Sequence, residues 1–322
     1  RLELRCQRWG WYLCRLIPSI MTHSIPETPT AAPALVLDGR RLQLEIEAEI
    51  RAEVENRRAA GRKVPHLAAV LVGHDGGSET YVRNKVLACE RVGFDSTLLR
   101  FADDITEAEL LAAVQRLNHD PAIDGFLVQL PLPRHISAQK VTEAIRAEKD
   151  VDGFHPINLG RMVAGIPALL PATPSGILVL LRRYGISTRG KHCVVVGRST
   201  IVGSPVSILL ARNAEPGNCT VTICHSATQH LADITRQADI LIAAIGRPEF
   251  ITADMVKPGA VVIDVGTTRV ADMTKKSGYA LKGDVHFAGV APLASAITPV
   301  PGGVGPMTIT SLLLNTLQAA TR

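Results

Sequence analysis

VVVGRSTIVGSP (Val194–Pro205) decides the fold: β-branched residues, a glycine turn and the opening of a helix follow one another directly. That succession of strand, tight turn and helix N-terminus is how parallel α/β sheets hold phosphates. Gly197 lets the chain turn, and Gly203 permits close backbone approach. The spacing is not G-x-G-x-x-G, because the second glycine comes six residues after the first, and alone it serves equally as a structural turn. Its surroundings add weight. Arg198 and Ser199 occupy the turn, and the next strand ends at Cys224-His225-Ser226, without the acidic residue that holds the ribose hydroxyls of NAD. An arginine and a serine at these places suit a 2′-phosphate, so NADP is expected over NAD.

Outward from this stretch, strand and helix signals alternate in both directions. Downstream, strands are predicted at Thr220–Cys224, Asp239–Ile245, Ala260–Val265 and Asp284–Phe287, with only short helical pieces between them. Upstream, Leu42, Ile46, Ile50 and Val54 recur every four residues, an amphipathic helix ending near Gly61. His66–Gly73, Ser96–Ala102 and Asp124–Leu130 read as strands. Ser78–Val92, Thr106–Asn118 and Ser137–Glu148 read as helices, the second opened by a Thr106/Glu109 capping box. Pro174–Tyr184 and Gly305–Thr321 are the remaining helices, while Asp150–Gly176 shows only weak periodicity. The order predicts an α/β protein with parallel sheets.

Composition sets the outer bounds. A chain of 322 residues, 46% hydrophobic and 20% charged, buries a large core and divides most simply into two domains. The net charge is 35 − 30 = +5, and Arg1, Arg5, Arg8 and Arg15 lie in an N-terminal stretch with only two acids, Glu3 and Glu27. The remainder is near neutral with no basic run, which argues against nucleic-acid and membrane-surface partners. No apolar stretch approaches the roughly 18 residues of a membrane span. Six cysteines without CxxC or zinc-ligand spacing predict reduced thiols, no metal site and a cytoplasmic protein. Residues 1–20 read as upstream sequence and 21–33 as a flexible lead-in, together a disordered extension.

Within the Ser78–Val92 helix, Val82, Val86 and Cys89 form an apolar strip, with Glu79, Arg83, Glu90 and Arg91 opposite. Lys85 falls beside the strip, in line with Tyr81, Ala88 and Val92. Such a lysine either snorkels to water or lines a cleft, where it can move protons, with Tyr81 offering a ring for a flat ligand. Gln129 ends a strand on the side where open parallel sheets bind ligands. Asp152, in KDVDGFHP, is a turn residue or a ligand anchor, and PVPGGVGPMT (Pro299–Thr308) a tight connection or a rigid cradle.

Taken together, YVRNK (81–85), VQLPLP (128–133), KDVDGFHPINLGR (149–161), VVVGRSTIVGSP (194–205), CHS (224–226), KPGAVVIDVG (257–266) and ITPVPGGVGPMT (297–308) resemble the bifunctional methylenetetrahydrofolate dehydrogenase/methenyltetrahydrofolate cyclohydrolase family, in order over about residues 35–320. The resemblance implies two α/β domains flanking a cleft, one a Rossmann-like NADP-binding domain over residues 156–299. The other is a folate-binding catalytic domain over 34–155, completed by the C-terminal helix at 300–322. It implies NADP-dependent oxidation of 5,10-methylenetetrahydrofolate and hydrolysis of the methenyl product to 10-formyltetrahydrofolate, within one-carbon metabolism and purine biosynthesis, by a homodimer. By matching motif, Lys85, Gln129, Asp152 and Tyr81 are catalytic. Val128, Leu130, Pro301, Gly302 and Gly305 join them in holding the folate, and Gly197, Arg198, Ser199, Ser226 and Thr267 hold NADP. Thr267 stands where the family usually has Ile, Ala172 where Cys is frequent, and Glu215–Asn218 is a short insertion. A dehydrogenase with little cyclohydrolase activity and a non-catalytic NADP-binding protein are the competing expectations. The presence of both Lys85 and Gln129 speaks against each.

Overall fold

The computed structural model describes residues 33–275 and 278–321; apart from Pro33, the expected N-terminal extension lies outside the described residues. A two-residue strand, β1 (Leu35–Val36), leads into α1 (Gly39–Ala59), which buries Leu42, Ile46, Ile50 and Val54, the four-residue repeat visible in the sequence. Then come β2 (His66–Val72), α2 (Gly76–Val92), β3 (Asp95–Phe101), α3 (Glu107–His119), β4 (Gly125–Val128) and α4 (Ala138–Ala144). The three strands form an all-parallel sheet in the order β3-β2-β4. Thr106 and Glu109 close the expected capping box at α3.

Several boundaries shift from the expected ones, and two of the shifts have a visible local cause. Helix α2 starts before Ser78, because Asp75 is its N-cap and accepts from the Ser78 amide at 2.7 Å. Helix α4 stops at Ala144 rather than Glu148. The Asn118 side chain donates to the Ala144 carbonyl and accepts from the Arg146 amide, both at 2.8 Å or less, so it replaces the next helical turn.

The weakly periodic stretch holds α5 (Pro156–Val163), with His155 as N-cap and a proline in the first turn, and is followed by α6 (Ala172–Arg183). The second half comprises β5 (His192–Val196), α7 (Gly203–Ala211), β6 (Thr220–Cys224), α8 (Leu231–Thr235), β7 (Ile240–Ala243) and β8 (Val261–Asp264). An antiparallel hairpin, β9 (Thr268–Ala271) and β10 (Tyr279–Lys282), precedes α9 (Phe287–Val290), β11 (Ala296–Ile297) and α10 (Val304–Ala319). Asp284–Phe287 is therefore not a strand. Only Val285 makes a bridge, to Ile251, and the chain turns into α9 at Phe287.

The six-stranded sheet has the order β1-β11-β8-β7-β5-β6 and every pairing in it is parallel. Leu35 and Val36 thus pair with β11 in this sheet, although the chain goes on at once into α1. Buried side chains form three layers. One covers the far face of the three-stranded sheet (Val70, Leu110, Phe126), another the far face of the larger sheet (Val194, Leu241, Val262). The largest lies between them and joins α1, α2, α6 and α10 to both sheets through residues such as Ile50, Leu180, Val195 and Leu313. Helix α10 is fastened to α1 by the Arg57 guanidinium, which donates to the Ala320 carbonyl at 2.8 Å across 263 residues of sequence. Cys89, Cys193, Cys219 and Cys224 carry free, buried thiols, and no described helix is long and apolar enough to cross a membrane.

Candidate active site

Lys85 is only 8% exposed, which removes the snorkelling alternative: its ammonium is not reaching for bulk water. Its Nζ donates to Gln129 Oε1 at 3.2 Å and stands 3.9 Å from Asp152 Oδ1. Three residues from α2, the end of β4 and the turn after α4 are thereby brought to one point. Tyr81, one turn earlier on α2, is 48% exposed, so its ring is open to a ligand beside the lysine. Val128, Leu130 and Asp152, with Asp150 and Phe154, line a small recess next to this cluster.

Each member of the cluster is held from behind. The Gln129 amide donates to Val70 O at 2.8 Å and its Nε2 to Leu130 O at 2.7 Å, which leaves Oε1 facing Lys85. Asp152 sits in a turn built around buried Asp150. That carboxylate accepts from the amides of Gly153 and His155 and from Asn158 Nδ2, and burial raises its pKa above the ordinary value against those hydrogen bonds. Gly153 has φ +76° and a Cβ there would lie 2.3 Å from the Leu170 carbonyl carbon, so the turn accepts no other residue without strain. From α10, buried Asn315 donates through Nδ2 to the carbonyls of both Val151 and Leu170 at 2.8 Å. Asp150, Asn158 and Asn315 escaped the sequence reading. Asn315 follows the apolar run Leu312–Leu314 in α10, among several other polar residues of the same helix, and nothing local sets it apart.

Asn315→Leu should strand both carbonyls. At about 1–3 kcal/mol for each buried unpaired group, the variant should melt several degrees lower and show a raised KM for the folate. Unchanged melting and KM would mean that Asn315 does not support the Asp152 turn.

The second cluster follows the carboxyl edge of the six-stranded sheet. Val196 pairs with Cys224, so Arg198 and Ser226 stand two residues beyond matched positions on neighbouring strands, and both are exposed. Gly197 (φ +126°) would place a Cβ 2.1 Å from Ala244 O, and Gly203 one 2.2 Å from Gly197 O. The two glycines thus let the start of α7 sit directly on the strand ends. Ser199 Oγ accepts from the Val202 and Gly203 amides, so its side chain also ties the turn to α7. Thr267 is exposed three residues past Asp264, which pairs with Ala243. No carboxylate occurs in the turn after β6, where the His225 amide donates to Thr228 Oγ1. This edge fits a phosphorylated dinucleotide.

The Pro301–Gly305 stretch opens α10 against the start of α1. The Arg40 amide donates to Gly302 O at 2.9 Å, and a Cβ on Gly39 would lie 1.8 Å from Gly303 O. Gly302 has φ +115° and Gly305 is open to solvent. The hydrogen bonds of this stretch run to α1 and within itself, not to Lys85. Across the two units, Arg269 of β9 donates to Gly76 O at the start of α2 and stacks on Tyr279, 4.6 Å from the ring centre. Among the described residues, no three His, Cys, Asp or Glu are grouped to hold a metal ion.

Comparison with known proteins places both clusters in one family. Residues 37–152 match the family model "Tetrahydrofolate dehydrogenase/cyclohydrolase, catalytic domain", and residues 171–322 match its NAD(P)-binding domain. A relative from Porphyromonas gingivalis, "Bifunctional protein FolD", is 64% identical over 285 residues, covering 88% of this chain and 96% of the relative. Among solved structures, the bifunctional FolD methylenetetrahydrofolate dehydrogenase/cyclohydrolase of Campylobacter jejuni superposes with a TM-score of 0.84 at 44% identity, over 89% of this chain and 99% of that one. The Trypanosoma brucei methylenetetrahydrofolate dehydrogenase-cyclohydrolase, solved with NADP and an inhibitor, gives 0.85 at 41% identity, over 90% and 98%. With the two family models matched in order on the two α/β units just described, the chain belongs to the tetrahydrofolate dehydrogenase/cyclohydrolase family.

Proposed function

We propose that Lys85, Gln129, Asp152 and Tyr81 form the centre at which this enzyme oxidises 5,10-methylenetetrahydrofolate and hydrolyses the methenyl product to 10-formyltetrahydrofolate. The observation that carries the reading is the buried Lys85 ammonium held between Gln129 and Asp152. NADP, when bound, supplies the acceptor for the hydride that leaves the methylene carbon. Tyr81 stacks on the flat pterin, and Asp152 accepts hydrogen bonds from its polar edge. Val128 and Leu130 wall the same space, and Pro301, Gly302 and Gly305 line the folate farther along. Water then adds to the methenyl carbon, and the bond from that carbon to N5 breaks, which leaves the formyl group on N10. The water oxygen loses both its protons, one to N5 and one to solvent; Lys85 is placed to relay the proton, and Gln129 fixes the direction of its Nζ. A dehydrogenase with little cyclohydrolase activity would have no use for a lysine buried and aimed in this way.

Gly197, Arg198, Ser199, Ser226 and Thr267 hold the cofactor on this reading. The start of α7 faces the diphosphate, Arg198 and Ser226 flank the 2′-phosphate, and Thr267 offers its backbone. Homodimeric assembly, a cytoplasmic location and supply of one-carbon units to purine biosynthesis accompany the family reading. Arg198→Ala tests the cofactor half: the apparent NADP constant should rise by roughly tenfold or more, as for a lost charge-assisted bond, with the NAD constant little changed. Equal shifts for the two cofactors would place Arg198 away from the 2′-phosphate.

A further inference from the structure

Two buried aspartates behind the carboxyl edge of the six-stranded sheet have no part in the reaction described above. Asp264 ends β8, and Asp284 lies in the turn after β10. Asp264 Oδ1 accepts from the amides of Gly266 at 3.0 Å and Asp284 at 2.8 Å, and its Oδ2 accepts from Val285 at 2.9 Å. Asp284 Oδ2 accepts from Ile245 at 2.6 Å and Gly246 at 3.0 Å. The carboxyl groups therefore hold the segments that follow β7 and β8. Both are seated against glycine: a Cβ on Gly266 would lie 2.2 Å from Asp284 Oδ1, and one on Gly283 would lie 1.9 Å from Asp264 Oδ2.

The charges on the adjoining segments are engaged elsewhere. Lys282 pairs with Glu249 at 2.6 Å, and Arg247 stacks over Phe250. Burial pushes the Asp264 carboxyl up to about 7, and the neighbouring Asp284 adds to the effect. Asp284 Oδ1 is buried with no hydrogen-bond partner among the described residues.

Sheet order says which end of the cofactor these loops meet. Arg198 and Ser226 stand at β5 and β6, whereas β7 and β8 lie on the other side of β5. A dinucleotide with its 2′-phosphate at the first pair extends its nicotinamide end over the second. We propose that Asp264 and Asp284, through their hydrogen bonds to the Gly266, Ile245 and Gly246 amides, position the loops after β7 and β8 for the nicotinamide end of NADP. They are positioning residues, and the inference rests on the cofactor placement proposed above.

Methenyl hydrolysis needs no NADP, so the protein carries its own control. Asp284→Ala frees the Ile245 and Gly246 amides. The NADP Kd, read by titration calorimetry on the full chain, should rise roughly tenfold or more while hydrolysis stays within about twofold. Asp284→Asn still presents an oxygen to the same two amides, so its Kd should stay within about threefold of the parent. Parallel loss of both activities, or an unchanged Kd in the alanine variant, overturns the proposal, as does an asparagine variant as weak as the alanine one. Arg198→Ala, measured alongside, separates two failures. If it leaves NADP binding unchanged, the cofactor placement is wrong; if it acts and Asp284→Ala does not, the carboxyl pair alone is wrong. Should the alanine variant not fold, hydrogen exchange on the parent chain decides together with the asparagine variant: the Ile245 and Gly246 amides should be protected without NADP, and fast exchange overturns the pair.

Discussion

Lys85→Met should abolish most methenyltetrahydrofolate hydrolysis while leaving part of the hydride transfer. Methionine nearly preserves the volume of the lysine stem and keeps the packing of α2, but it has no proton to give or take. General acid–base catalysis contributes on the order of 10²–10⁴-fold, and hydrolysis should fall by that range. Oxidation of the methylene carbon depends on how the two reactants are oriented, which Asp152, Tyr81 and the sheet edge still provide. Methenyltetrahydrofolate should then accumulate, visible by its absorbance. The ratio of the two rates is the decisive quantity. A lysine that merely fills space gives small, parallel losses, and that result would remove Lys85 from the proton-transfer role.

Gly203→Ala should do the reverse. The added Cβ would lie 2.2 Å from Gly197 O, 2.6 Å from Gly197 C and 2.9 Å from the Arg198 amide nitrogen, all of them backbone atoms that cannot rotate aside. The start of α7 has to lift off the end of β5, and the Arg198–Ser199 turn that it packs on shifts with it. Overpacking of this kind costs about 1–3 kcal/mol, so kcat/KM for NADP should fall roughly ten- to hundredfold if the strain is relieved on release of cofactor. Hydrolysis at Lys85, on the other unit, should persist. An unchanged NADP constant would show that the α7 terminus does not face the cofactor.

The parts of the fold that could be read in advance are those whose signal is local. Thr220–Cys224 matches β6 residue for residue, and the α3 capping box lies within four residues. β1 and β11 have two residues each, too short to show a period, and exist because the larger sheet offers them partners. Asp284–Phe287 misled because D-V-H-F alternates like a strand. In the fold, the aspartate turns inward to the Ile245 and Gly246 amides and the chain bends into α9. At the candidate site, helical phase alone set Lys85 apart from the charged face of α2. Its distance to Asp152 could not be read that way, since the turn carrying Asp152 is held by Asp150 and, from α10, by Asn315. Such partners meet only in the folded state, and no periodicity joins them.

The bond from Arg57 to Ala320 bears on how the molecule is made on the ribosome. Helices α1 and α2 and the three-stranded sheet emerge well before α10, which closes the apolar side of α1. β1 likewise emerges before its neighbour β11 exists. The nascent chain therefore holds an open hydrophobic flank and an unpaired strand until α10 and β11 have been made, and contacts of such long sequence separation form late. Chaperone demand should thus be concentrated on the N-terminal half of the chain, during the interval before α10 leaves the exit tunnel.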